Sequence, residues 1–113
     1  MTDRELLEAA AKACGIDGAY GVASDDYYYD GNVEGILTIL PDGQSYVWNP
    51  LTDDGDALRL AVKLELQLDL RHSFHTVRIY GAADGRIDES GDPLAATRRA
   101  IVRAAAAIGK EMK

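Results

Sequence analysis

Apolar residues recur along this chain with two periods, and the changes of period divide it into elements. In "TDRELLEAAAKACG", Leu6, Leu7, Ala10 and Cys14 return at helical intervals. Thr2 with Glu5 three residues on has capping-box spacing, and Gly15 suits a left-handed stop. A second helical stretch runs from about Asp53 to Leu64, with Ala57, Leu60, Ala61 and Leu64 on one face and Leu58 and Val62 widening it. A third follows Asp92-Pro93, an N-cap and first-turn proline, with Leu94, Ile101, Ala105, Ile108 and Met112 as its stripe. Ala100, Ala104 and Ala106 are small enough there to let a neighbour approach closely.

Between the helices the period falls to two. Ile36–Leu40 and Ser45–Trp48 flank "PDGQ", which predicts a hairpin. Leucines at 64, 66, 68 and 70 alternate with polar residues; Leu64 and Leu68 also satisfy helical spacing, but a strand over about 65–70 fits better. A turn over "RHSF" would lead to a second strand at "HTVRIY", with Val77 and Ile79 facing inward. The segment 17–35 is rich in Gly, Asp, Asn and Ser and reads as an irregular loop, long enough that part of it should form a short extra strand. "GAADGRIDESGD" is a second polar loop with a short strand around Ile87. The expected fold is α+β, a single domain over 1–113 ordered α-β-β-α-β-β-α, with a mainly antiparallel four-stranded sheet.

At 113 residues, a chain of 47% hydrophobic and 27% charged residues can bury a core without staples. No apolar run approaches a membrane span, and the acidic N-terminus has no secretory h-region. Cys14 is the only cysteine, which excludes an internal disulfide and fits a reducing cytoplasm. The net charge of −7 argues against nucleic-acid or anionic-membrane binding. Its distribution is uneven. Residues 1–92 hold seven Lys/Arg against 18 Asp/Glu, a balance of −11, whereas 93–113 hold five against one, a balance of +4.

The densest acidic run is "WNPLTDDGDAL". Asp53, Asp54 and Asp56 could form a divalent-cation site, but D-D-G-D lacks the alternating ligands and distal acid of a calcium loop. Capping explains them better: Thr52 or Asp53 as N-cap and the other acids in the first turn, where the macrodipole favours negative charge. Trp48 is a core or interface anchor. His72 and His75 with Asp69 lack a third firm ligand and fit surface histidines better than zinc; as a pair they would titrate below about pH 6.5. Cys14, at a helix C-terminus, is a buried small side chain rather than a nucleophile. No G-x-S-x-G or phosphate-cradling glycine motif is present. No catalytic residue and no cofactor are therefore expected.

"SDDYYYDGN" sets Tyr27, Tyr28 and Tyr29 among acids, either as a contact surface or with Tyr27 and Tyr29 packing as one face of a strand. Arg98, Arg99 and Arg103 lie off the apolar stripe and suit pairing with the acidic body or with a second copy.

The runs "WNPLTDDGDALRLAVKL" at 48–64 and "ATRRAIVRAAAAIGK" at 96–110 resemble the phage ABA sandwich domain, a family of short phage and prophage proteins. The resemblance implies an alpha-beta-alpha arrangement and expression in the cytoplasm of a bacterial host. It brings no established activity and no functional residues; the tyrosine loop is not part of the pattern. The expected function is thus a non-enzymatic accessory protein acting through protein contacts, as a homodimer. One alternative is an acidic decoy that imitates nucleic acid before a basic host protein; another is a metal-dependent enzyme using Asp53, Asp54 and Asp56.

Overall fold

In a computed structural model, residues 1–24, 32–70, 77–82, 85–89 and 91–112 are described. The first helix, α1, is Asp3–Cys14. Its start is the expected reciprocal pair: the Glu5 amide donates to Thr2 Oγ1 at 3.1 Å and the Thr2 amide to Glu5 Oε1 at 3.2 Å. Three strands follow, β1 (Ala19–Ser24), β2 (Asn32–Ile39) and β3 (Ser45–Trp48), in one antiparallel sheet of order β1-β2-β3. After α2 (Asp54–Lys63) come β4 (Gln67–Asp69), β5 (Val77–Ala82) and β6 (Gly85–Glu89), a second antiparallel sheet of order β4-β5-β6. The last helix is α3, Pro93–Glu111.

The α+β class and the three helices are as expected, but the single four-stranded sheet is not what the described residues form. Each hairpin gains a strand and the strands divide into two sheets. β1 and the first half of β2 come from the segment read mainly as loop, and Ala19 through Ser24 pair in unbroken register with Leu37 through Asn32. Glycine and small polar residues weaken strand propensity without removing the backbone donors and acceptors that make a ladder. β6 spans Ile87, where a short strand is expected. The "RHSF" turn, His72, His75 and Tyr27–Tyr29 lie outside the described residues, as do the side chains that would settle which way Val77 and Ile79 face.

α1 and α2 end by the same device. At α1, Ile16 N–H reaches Ala11 O at 2.9 Å across Gly15, whose φ is 77°. At α2, Leu66 N–H reaches Ala61 O at 3.0 Å and Glu65 N–H reaches Val62 O at 3.1 Å, with Glu65 at φ 54°. Both are left-handed Schellman stops. The second turns the chain out of the helix and decides 65–70 in favour of a strand, a shorter one than expected.

The core gathers Leu6, Leu7 and Ala10 of α1, Ile36 and Trp48 of the first sheet, Leu60 and Ala61 of α2, and five alanines of α3, Ala96, Ala100, Ala104, Ala105 and Ala106. α3 is the hub and touches α1, α2, β5 and β6. Its buried arc is Ala96, Ala100, Ile101, Val102, Ala104, Ala105, Ala106 and Gly109, wider than the expected stripe, whose ends Leu94 and Met112 stand exposed. A helix touched from several sides buries its small residues, because only they allow axes to come close. At Gly109 an added Cβ would lie 1.9 Å from the Ala9 carbonyl oxygen of α1. Leu58 and Val62 do not widen α2's buried face: they are 59% and 69% exposed.

Candidate functional site

The run from Tyr46 to Arg59 joins β3 to α2 and contains the chain's main buried polar cluster among the described residues. Asn49 organises the turn. Its Oδ1 accepts from Leu51 N–H at 2.9 Å, its Nδ2 donates to Glu34 O at 2.8 Å, and its own carbonyl accepts from Asp53 N–H at 2.9 Å. Pro50 follows, fully buried, and cannot donate, so the turn leaves no amide to satisfy at that position.

Each aspartate then has a separate task. Asp53 is the N-cap and accepts from Asp56 N–H at 2.8 Å. Asp54 Oδ1 meets Arg98 Nη1 at 2.6 Å, while Arg98 Nε donates to Leu51 O at 2.9 Å, latching α3 across the turn. Asp56 is 1% exposed. Its Oδ1 accepts from the Tyr46 hydroxyl at 2.5 Å and from Arg59 Nη2 at 2.7 Å; its Oδ2 accepts from Asn49 N–H at 3.0 Å. A buried carboxylate survives only with such saturation.

Electrostatics follow from this wiring. Burial, then the hydrogen bond to Asp56, pushes the Tyr46 hydroxyl up to about 12. The same carboxylate raises Arg59 above its ordinary value. Burial also raises the Cys14 thiol, so it is protonated at neutral pH and a weak nucleophile. Cys14, Tyr46, Asp56 and Arg59 share the lining of a cavity of about 350 Å³ with Ile16, Trp48 and Leu60.

Asp53, Asp54 and Asp56 therefore do not converge on an ion position; among the described residues no group of three or more His, Cys, Asp or Glu could hold a metal. Of the two readings of Trp48, core or interface anchor, the first holds and the second is corrected, since it is 5% exposed in the core. Arg98 is largely covered and latched to Asp54, and Arg99 Nη2 meets Asp3 Oδ1 at 3.0 Å. Arg103 lies on α3 away from this cluster and has a partner of its own. Tyr46, Asn49 and Arg59 were not legible as site residues. Two of the three carried a signal: Tyr46 shares a strand face with Trp48 two residues on, and Arg59 stands three beyond Asp56 on a helix.

Comparison of the chain with protein-family models, curated proteins and solved structures finds no match. No helix among the described residues is long and apolar enough to cross a membrane.

Proposed function

We propose that this is a small non-enzymatic contact protein that works as a homodimer, its two copies joined through the outer face of the β1-β2-β3 sheet. The observation that carries the reading is the composition of that face. Paired residues of an antiparallel ladder point the same way, so the register groups Ala19, Gly21 and Ala23 with Val33, Gly35, Leu37, Ile39, Ser45 and Val47. None is charged, in a chain of net charge −7. Leu37 and Ile39 are 40% and 65% exposed. Ile36, on the opposite side, is in the core.

A second copy fits this surface better than a charged partner would. The two glycines leave it flat, and two such faces can stack about 10 Å apart as sheets do. Three strands about 4.8 Å apart give a patch of roughly 300 Å² in plan. The dimer therefore lies at the small end of specific interfaces, below about 1,200 Å² in total, and is weak and concentration-dependent. The resemblance at 48–64 and 96–110 supports a phage or prophage accessory role in a bacterial cytoplasm, together with the alpha-beta-alpha sandwich it implies. The polar saturation of Asp56, with Tyr46 and Cys14 both held protonated, supports the non-enzymatic reading.

Size-exclusion chromatography with light scattering, at low and high salt and over a range of concentrations, tests it. The expected result is a dimer that persists in high salt and becomes monomeric in Ile39→Glu. A monomer under all conditions, or a dimer that Ile39→Glu leaves intact, overturns the assignment of the face.

A further inference from the structure

The cavity beside Asp56 has a wall and a mouth of different chemistry. Ile16, Leu40, Trp48, Leu60 and the protonated Cys14 make the wall. The hydroxyls that reach it are already committed: Thr38 Oγ1 donates to Asp17 O at 2.5 Å and Tyr46 to Asp56 at 2.5 Å. The interior thus offers mostly apolar contact area, with its hydroxyls already spent, which suits an apolar body. Its volume, about 350 Å³, falls within the small-molecule range.

The mouth is cationic. Arg59 is shared between Asp56 at 2.7 Å and Asp53 at 3.9 Å, so its charge is offset. Lys63, one turn on and exposed, lines the same opening and has no hydrogen bond or ion pair among the described residues. Its charge reaches the Cys14 thiol in the wall. One unspent ammonium at the lip of an apolar hollow, on a chain of net charge −7, selects for a negative group.

We propose that this cavity binds a small amphipathic anion, with the apolar body between α1, the first sheet and α2 and its acid group at Lys63. The site is separate from the proposed dimer face. Lys63 positions the anion and performs no chemistry on it.

Anilinonaphthalene sulfonate, two apolar ring systems and one sulfonate, is a suitable probe. Trp48 is the only tryptophan and stands in the wall, so occupancy transfers its excitation to the probe. The expected result is saturable one-to-one binding, with Trp48 emission falling in step and iodoacetamide modification of Cys14 slowed. Lys63→Glu weakens binding about tenfold, an energy of about 1.4 kcal/mol, while Lys63→Arg keeps it. Ile39→Glu leaves it unchanged, which separates this site from the dimer face. Overturning results are the absence of saturable binding, equal binding by Lys63→Glu, loss of binding in Ile39→Glu alone, or binding that accompanies loss of the near-ultraviolet circular dichroism.

Discussion

Replacing Asp56 by alanine should cost more than any other single truncation in the β3–α2 turn. The carboxylate is 1% exposed and satisfies three donors. Two of these cannot easily turn to water: the amide of Asn49, itself 8% exposed, and the half-buried Tyr46 hydroxyl. An orphaned buried donor costs about 1–3 kcal/mol. The third donor, Arg59, is 68% exposed and rehydrates, so its bond is worth no more than about 1 kcal/mol. Asp56→Ala should therefore lose about 3 kcal/mol, within the range for breaking a buried pair. Asp56→Asn, which keeps an acceptor for the Asn49 amide, should lose about half of that, and Tyr46→Phe and Arg59→Ala about 1 kcal/mol or less each. Urea unfolding followed by Trp48 emission measures all four, since that indole borders the same cavity. If Arg59→Ala proves as damaging as Asp56→Ala, the ion pair carries the stabilisation and the argument from buried donors is wrong.

Two further outcomes follow from the geometry. Gly109→Ala should lower the melting temperature despite alanine's helix preference of about 1 kcal/mol, because its Cβ would sit 1.9 Å from Ala9 O, and overpacking against backbone costs about 1–3 kcal/mol or more; an unchanged or raised melting point would disprove the close α1–α3 crossing. Tyr46 should ionise near 12, late among the six tyrosines, in an absorbance titration at alkaline pH. Its folded-state pKa lies above the ordinary 10, so the contribution to stability is present below pH 10 and lost as pH rises from 10 towards about 12; Asp56→Asn should bring the ionisation down, and an unaltered titration in that variant counts against the hydrogen bond.

The helices were readable because their ends obey local rules: Thr2 with Glu5, Asp53, and Asp92 ahead of Pro93 are caps in the chain and caps in the fold. The acidic run was likewise readable as the start of α2. What stayed hidden was long-range. Nothing near Asp56 in sequence says that Tyr46 will meet it, or that the Asn49 amide will point inward rather than to solvent. The extra strand expected within 17–35 exists as β1, but its position could not be read, because pairing depends on the partner ladder and its glycine and small residues carry little signal of their own. The helix–strand boundary at 65 was obscured for a specific reason: a Schellman stop is announced by glycine, and Glu65 takes the left-handed position instead. The stripe on α3 was misjudged at Leu94 and Met112 because bulk was weighed above closeness.

The pairing of α1 with α3 also governs how the molecule must assemble. Arg99 reaches Asp3 across 96 residues and Lys12 reaches the Met112 carbonyl across 100. During synthesis the first helix can meet β1 and β2 early, but the larger part of its cover, α3, arrives only with the last segment of the fold. Closing so large a loop is entropically slow. The final alanine-rich helix is thus the last of the three helices to reach its place against the first.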